Sequence, residues 1–286
     1  AASGMVVPLI PPGVGLIIYG CINNISIGKL FIAGIGPGIV LCVTLMIFTH
    51  FLSKKRGYLP SRTTKIPVSE KIAAVRPAFL PLLLPIIIIG GVRIGVFTAS
   101  EAGTVAIVYA VLLGLLYKEL TLKNVMQGCK ETVTTTASIM LIVAAATCFS
   151  WILTKEQIPQ QFSQWMISNI HNKYVFLIMV NIFLLIVGMF IEGNASMIVL
   201  APLLHPVAMA YGIDDIHFAM VYIFNCTIGA FTPPMGTLMF VSCGITKCPT
   251  KDLIKEAVPF YILFAIDIIV LTYIPQLTTF LVNVFY

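Results

Sequence analysis

Two segments combine helix-breaking residues with small polar side chains inside otherwise apolar sequence. One lies at residues 3–13 and contains Pro11-Pro12, and the other lies at 225–236 and contains Pro233-Pro234. Adjacent prolines lack N–H donors and clash with a helix interior, so both segments are predicted to be unwound. Unwound backbone frees carbonyl oxygens that suit a hard cation such as Na⁺, while the N-terminus of the helix that follows suits an anion. The candidate Na⁺ ligands here are Ser3, Gly4, Pro11, Pro12 and Gly13, then Asn225, Thr227, Gly229, Thr232, Pro233 and Gly236.

A third polar segment, Glu192 to Ser196, interrupts apolar sequence that runs from 174 to 211. A straight helix of about 38 residues is much too long for a hydrocarbon core of roughly 30 Å, and each arm is short for a full crossing, so we predict a re-entrant hairpin with a polar tip. An ionisable residue at membrane depth is a functional candidate by default. Glu192 and Gly193 are therefore candidate Na⁺ ligands, and the candidate substrate ligands are Asn194, Ser196 and Thr237.

A plain structural interpretation stands beside each of these predictions. Proline and glycine often only kink packed helices in membranes. Glu192 would then serve structure alone, as a tip residue held by backbone N–H groups. The occurrence of two related breaks together with a polar tip favours a binding site.

The composition demands a membrane around these segments. Of 286 residues, 59% are hydrophobic and only 10% are charged, and the mean hydropathy is +1.01. Apolar runs of about 20 residues recur, which excludes a water-soluble globule and predicts an all-α polytopic membrane protein. Thirteen of the 17 Lys and Arg residues fall in three polar stretches that we assign to the cytoplasm. Because these stretches lie between apolar runs and do not form one soluble basic face, the basic residues indicate the orientation of the chain in the membrane and not nucleic-acid binding.

The apolar runs divide the chain into six predicted segments. They are 1–26, a broken helix; 27–78, a span with a cytoplasmic connecting arm; 79–172, several further spans; 173–211, the re-entrant hairpin; 212–246, the second broken helix; and 247–286, a C-terminal span. Within them we expect a flexure at Gly34 to Gly38, a break at Gly90-Gly91, and an interfacial helix near Trp165. We also expect an aqueous loop at 53–72, a loop carrying Lys118, Lys123 and Lys130, and a last loop carrying Lys247, Lys251 and Lys255.

The chain also contains an internal repeat. A shift of 222 positions aligns Pro11-Pro12 with Pro233-Pro234, Cys21 with Cys243, Lys29 with Lys251 and Pro37 with Pro259. If the basic stretches lie in the cytoplasm, the two copies cross the membrane in opposite directions. This predicts inverted repeats of the kind that build many secondary transporters. Because the chain starts at Ala1-Ala2-Ser3 on its Gly/Pro-rich segment, we expect it to be the C-terminal part of a longer protein whose first hairpin precedes Ala1.

The remaining ionisable residues favour structural roles. Asp267 in the last span is expected to pack through hydrogen bonds or at a subunit contact, and His205 to be a satisfied helix histidine. Arg93 and Glu101 are expected to pair or to lie at the outer interface. The sequence contains no GxSxG, HExxH, Walker A or GxGxxG motif, so no enzyme activity is predicted.

Three blocks of the sequence resemble one transporter family. They are SGMVVPLIPPGVGLIIYG, GVFTASEAGTVAIVYA and the long block that begins FIEGNASMIVLAPLLHPVAMAYGIDD and continues through NCTIGAFTPPMGTLMF. Together they are similar to the large membrane subunit of tripartite ATP-independent periplasmic (TRAP) transporters over essentially the whole chain. Within that family the sequence most resembles the membrane component of sialic acid systems.

The resemblance implies an elevator-type secondary transporter of the ion transporter superfamily in the bacterial inner membrane. It places a transport domain at 1–26 and 173–246, and scaffold and arm spans at 27–78 and, in the second repeat, at 79–172. It implies Na⁺ coupling, a periplasmic substrate-binding protein that delivers a carboxylated solute, and a small membrane subunit, possibly fused before Ala1. By motif it places cation-binding loops at Ser3 to Gly13 and Asn225 to Gly236, and the second hairpin tip at Glu192 to Ser196. Two alternatives stay open: a stand-alone C4-dicarboxylate or citrate carrier, and a non-transporting membrane assembly subunit.

Overall fold

The computed structural model describes residues 2–58 and 67–286, and all regular structure in them is helical. A 3-10 helix, Ala2–Val6, precedes the α-helices. In chain order these are α1 Val14–Asn23, α2 Ile27–Arg56, α3 Val68–Arg93, α4 Ala99–Leu116, α5 Leu122–Lys155, α6 Ile158–Asn169, α7 Lys173–Phe190, α8 Gly193–Ala210, α9 Asp215–Gly229, α10 Thr237–Thr246, α11 Thr250–Tyr273 and α12 Gln276–Phe285. The chain forms two compact units, Ala1–Met46 with Ser138–Tyr286, and Ile47–Ala137. The predicted all-α class agrees with these elements.

Helix α9 is the core of the first unit. Every residue from Ile216 to Gly229 is buried, because α1, α7, α8, α11 and α12 all pack against it. A helix that is apolar on all faces must be buried in this way. The helix that follows the first break, α1, and the helices on both sides of the polar tip, α7 and α8, therefore share one packing partner, which leads into the second break.

The apolar sequence around Glu192 forms two helices with a break between them. Helix α7 ends at Phe190 and α8 begins at Gly193, so no straight helix runs from 174 to 211. Each arm has 18 residues and is long and apolar enough to cross a membrane. The prediction that each arm is too short to cross was wrong, while the re-entrant path stays a prediction.

Both double-proline segments are unwound around their prolines, at 7–13 and 230–236. The prediction was wrong for residues 3–6, which belong to the 3-10 helix, and for 225–229, which form the last turns of α9, because the prolines remove donors only near their own positions. The first lies between the 3-10 helix and α1, the second between α9 and α10, and each contains a cis peptide bond between its two prolines. After each break comes a ten-residue helix, a residue at positive φ (Asn24 or Lys247), and then a long helix with an internal proline. This order of elements supports the internal repeat, and its inverted orientation stays a prediction.

The glycines at 34–38 provide close packing, and the flexure expected there stays a prediction. Helix α2 is continuous from Ile27 to Arg56. A Cβ at Gly34 would collide with the carbonyl oxygen of Leu9, and one at Gly38 would lie 2.6 Å from Cγ1 of Ile10. These glycines therefore let α2 contact the first break directly.

Helices α3 and α4 pack together in the second unit. Pro81 lacks an N–H, so the carbonyl of Pro77, one turn earlier in α3, has no helical donor. The hydroxyl of Tyr117, the C-cap residue of α4, donates a hydrogen bond to that carbonyl at 2.9 Å. α3 continues through Gly90-Gly91, so the predicted break there was wrong: a glycine pair lowers helix propensity without removing a donor.

The predicted loops are shorter than expected. Lys123 and Lys130 lie on α5, and Lys251 and Lys255 lie on α11, because long basic side chains are good helix formers. The predicted aqueous loop is helical at both ends, in α2 up to Arg56 and in α3 from Val68, and its residues 59–66 lie outside the described part of the chain.

The predicted final span is two helices, α11 and α12, bent by 50° at residues 274 and 275. Among the described residues, four helices are long and apolar enough to cross a membrane by length and composition, and the bent pair would make a fifth. These helices are α2, α5, α7 and α8. The predicted multi-pass membrane protein agrees with them.

Candidate functional site

One cavity of about 430 Å³ brings the predicted segments together. Its walls come from the first break, the start of α1, the tip between α7 and α8, the last turns of α9 and the start of α10. Of the predicted site residues, those that line it are Gly4, Pro12, Gly13, Glu192, Gly193, Asn194, Thr227 and Thr237. Residues from Gly4 to Val241 thus form one site in the first unit.

The Glu192 carboxylate holds the start of α8. Its Oε2 accepts a hydrogen bond from the Ala195 N–H at 3.0 Å, which makes Glu192 the N-cap residue. Its Oε1 accepts from Nδ2 of Asn194 at 2.7 Å. A negative charge at a helix N-terminus is stabilising. The structural interpretation of Glu192 is therefore supported, and the same carboxylate lies at the cavity wall.

The two short helices that follow the breaks, α1 and α10, each have a glycine as N-cap residue, and the preceding loop packs closely against that glycine. Gly13 is the N-cap of α1, and a Cβ there would collide with the carbonyl oxygen of Pro8. Gly236 is the N-cap of α10, and a Cβ there would lie 2.7 Å from the carbonyl oxygen of Ala230 and 2.8 Å from that of Thr232. Only glycine allows the loop to turn back over the helix start in this way.

Both breaks carry carbonyl groups without internal partners. Within residues 2–58 and 67–286, the carbonyls of residues 7–12 and 232–235 accept no hydrogen bond. Val7, Pro8 and Pro12 are among the cavity-lining residues. Unpaired main-chain oxygens inside a protein are costly unless water or an ion contacts them. This donor set fits a hard monovalent cation.

Several predicted ligands lie away from the cavity. Ser196 is 1% exposed and hydrogen bonds to Tyr222. Gly229 packs against Gly188 of α7 so closely that a Cβ on Gly229 would lie 2.6 Å from the Gly188 Cα. The other predicted residues outside the lining are Ser3, Pro11, Asn225, Thr232, Pro233 and Gly236.

Asn225 belongs to a buried polar network on the opposite side of α9. Its Nδ2 donates to Oδ1 of Asn181 at 2.8 Å, and Nδ2 of Asn181 donates to the Thr272 hydroxyl at 2.9 Å. The network joins α9 to α7 and α11. The Oδ1 atom of Asn225 has no hydrogen-bond partner within the described residues. Asn225 thus fixes helix packing where the sequence suggested a ligand.

The structure also identifies lining residues that sequence reasoning did not single out. Cys226 and Ile223 on α9, Met197 on α8 and Leu238 on α10 provide apolar wall between the polar segments. Met197 lies over the start of α1, where a Cβ at Gly15 would be 3.2 Å from its Cε. The i, i+3 spacing of Ile223 and Cys226 was the available signal, since it places both on one helix face.

The other ionisable residues have local partners. The carboxylate of Glu101 accepts from the Thr98 N–H at 2.7 Å and from its hydroxyl at 2.9 Å, forming a capping box at the start of α4. Asp267 accepts from the Thr44 hydroxyl at 3.0 Å and is 2% exposed. The structural roles expected for Glu101 and Asp267 agree with these contacts.

Comparison with known families decides the classification. Residues 1–277 match the family model described as the tripartite ATP-independent periplasmic transporter, DctM component. The chain belongs to this family. The resemblance found in the three sequence blocks is therefore confirmed.

Curated relatives of the DctM family align with nearly the whole chain. The sialic acid TRAP transporter large permease SiaM of Vibrio cholerae is 41% identical over all of this chain, which covers 66% of that protein. The sialic acid TRAP transporter permease SiaT of Haemophilus influenzae is 36% identical over 99% of the chain and 46% of its own length. The C4-dicarboxylate TRAP transporter large permease DctM of Pseudomonas aeruginosa is 37% identical over 96% of the chain and 64% of its own length.

The chain therefore spans between about half and two thirds of the length of these relatives. All three are named as transporter permeases, which agrees with the prediction that the chain belongs to a transporter and not to an enzyme.

Proposed function

We propose that the chain is the cavity-bearing part of a sodium-coupled importer of a carboxylated solute. The solute is delivered by a periplasmic substrate-binding protein, and a small membrane subunit, separate or fused, completes the complex. The helices that surround the cavity move across the inner membrane as an elevator. The observation that carries this proposal is the single cavity enclosed by both breaks and the polar tip.

Sodium is the coupling ion that the wall chemistry favours. Val7, Pro8 and Pro12 line the cavity and have main-chain carbonyls without internal partners, and such oxygens are suited to a monovalent cation. Moving a bare carboxylate through hydrocarbon is prohibitive, so a cation that binds with it lowers the cost. Both ions then move as cargo of one cycle.

The solute binds beside the sodium sites, at the tip and the start of α10. Asn194 and Thr237 line the cavity and offer an amide and a hydroxyl. The N-terminal N–H groups of α10 add a positive dipole end that has no side-chain cap. Ser196 contributes indirectly, because its hydroxyl is engaged by Tyr222.

Sodium-dependent uptake by the intact complex tests the proposal. The full-length protein, its small subunit and its binding protein are reconstituted in liposomes with labelled sialic acid. We expect uptake that requires an inward Na⁺ gradient and the binding protein. Uptake without Na⁺ would refute the coupling, and uptake without the binding protein would indicate a stand-alone carrier.

C4-dicarboxylates are the second candidate solutes. The Pseudomonas aeruginosa relative, which is named for C4-dicarboxylates, is 37% identical to this chain and lies between the two sialic acid relatives, at 41% and 36%. Competition settles the choice: excess unlabelled succinate abolishes labelled sialic acid uptake only if the dicarboxylate occupies the same site.

A further inference from the structure

Two buried tyrosines, Tyr19 on α1 and Tyr222 on α9, each hydrogen bond to α8. The Tyr222 hydroxyl donates to the Ser196 carbonyl at 3.0 Å and lies 3.1 Å from the Ser196 hydroxyl. The Tyr19 hydroxyl lies 3.3 Å from Nδ1 of His205. The two rings are 5.4 Å apart between centroids, and both residues are fully buried. We call them the tyrosine pair.

The tyrosine pair lies next to the residues that line the cavity. Tyr222 precedes the lining residue Ile223, and Tyr19 is one helical turn beyond the lining residue Gly15. Ser196 is one turn beyond Glu192, whose carbonyl accepts the Ser196 N–H at 2.9 Å. The hydrogen bonds of the pair therefore connect the polar tip to α9, which leads into the second break, and connect α8 to α1, which follows the first.

Helix α8 needs such external bonds more than its neighbours do. Pro202 and Pro206 each lack an N–H, so the carbonyls of Ile198 and Pro202 lose their helical donors. A helix weakened inside is more readily displaced unless neighbouring helices hold it. Phenylalanine would supply the same apolar ring at both tyrosine positions, so the hydroxyls are what this pair adds to the packing of α8 against α1 and α9.

We propose that the tyrosine pair is a positioning device that couples the two breaks to the tip. A cation that binds at one break fixes the position of the adjoining helix, α1 or α9. Through the hydrogen bonds of the tyrosine pair, α8 is then held in one position, and the tip closes on the other break. Na⁺ binding is then cooperative. This inference rests on the proposed sodium-coupled transport, and it adds Tyr19 and Tyr222 as residues that set apparent Na⁺ affinity without touching the ion.

Removing one hydroxyl tests the device in the intact, reconstituted complex. Tyr222→Phe is expected to raise the Na⁺ concentration for half-maximal uptake about five-fold, the factor for one net hydrogen bond, and to lower the Hill coefficient toward one. Tyr19→Phe should act in the same direction. The maximal uptake rate at saturating Na⁺ should stay within about two-fold of wild type, because no ligand is lost.

Tyr211→Phe is the matched control. Its hydroxyl donates to the Ile170 carbonyl at 2.8 Å, so the substitution removes a part-buried bond from a tyrosine to a carbonyl at the far end of α8. Half-maximal Na⁺ and the Hill coefficient should match wild type in this variant. If Tyr222→Phe and Tyr211→Phe behave alike, the proposed coupling is wrong.

Amide hydrogen exchange at the tip gives a readout that does not depend on sodium coupling. Tyr222→Phe should exchange faster at residues 193–198 than wild type, while Tyr211→Phe should not. Unchanged exchange at the tip would overturn the positioning role. Wild-type uptake without Na⁺ dependence would instead refute the proposed function and the cooperative step, with tip exchange still deciding whether the pair positions α8.

Discussion

The crossing of α7 and α9 at Gly188 and Gly229 sets the sharpest stability prediction. A Cβ on Gly229 would lie 2.6 Å from the Gly188 Cα, 2.9 Å from its carbonyl carbon and 3.2 Å from its oxygen. These are backbone atoms, so no side-chain rotation relieves the collision. An ordinary contact begins at 3.4 Å, and the helices must therefore separate by about 0.8 Å.

We expect Gly229→Ala to destabilise the protein by about 1–2 kcal/mol. A separation of this size forfeits roughly a quarter to a half of the attraction at each contact along the crossing. Overpacking typically costs about 1–3 kcal/mol, and the higher helix propensity of alanine returns up to about 1 kcal/mol. Because the second break follows Gly229 directly, uptake should fall as well.

Thermal unfolding of the purified protein without Na⁺ measures this effect apart from ion binding. Gly128→Ala is the control, since Gly128 lies inside α5 and a Cβ there has nothing within 4 Å. That variant should be as stable as wild type or slightly more so. A Gly229→Ala protein with an unchanged or raised unfolding temperature would refute the packing argument and return Gly229 to the list of ligand candidates.

Three further predictions concern carboxylates with local partners. Glu192→Ala should cost about 1 kcal/mol at the start of α8, measured by amide exchange, whereas Glu192→Asp, which keeps an N-cap carboxylate, should retain most protection. Thr98→Ala should cost a similar amount at the start of α4 by losing the capping box with Glu101; unchanged exchange at residues 100–102 would contradict this. Asp267→Asn should keep wild-type uptake between about pH 6 and 8, because an amide oxygen still accepts the hydrogen bond from Thr44. Loss of uptake, or a shift in its pH dependence, would instead indicate a proton relay.

The breaks and the tip were predictable because they depend on local chemistry. Pro11-Pro12 and Pro233-Pro234 remove donors wherever they occur, so unwinding followed from the residues alone. The length of apolar sequence around Glu192 likewise required an interruption within a bilayer. In contrast, the predicted break at Gly90-Gly91 failed, because two glycines leave every backbone donor in place and α3 continues through them.

Packing changed the meaning of other glycines. Gly34 and Gly38 suggested a flexure, yet they allow α2 to approach Leu9 and Ile10 of the first break. Gly229 suggested a ligand, yet it meets Gly188. A glycine signals either backbone freedom or close approach, and only the neighbouring helix decides between them.

The sequence by itself determined an all-helical membrane protein with two unwound segments and a polar tip, because composition and proline chemistry act locally. The tertiary structure decided which residues of those segments form the site. Thr227 lines the cavity, while Asn225 bonds to Asn181 on α7. Residues two positions apart in a helix, such as Asn225 and Thr227, point in directions that differ by about 200°. Residues of similar chemistry therefore face different partners. Which face of α9 meets the tip depends on how α1, α7 and α8 pack around it, and no local pattern contains that information.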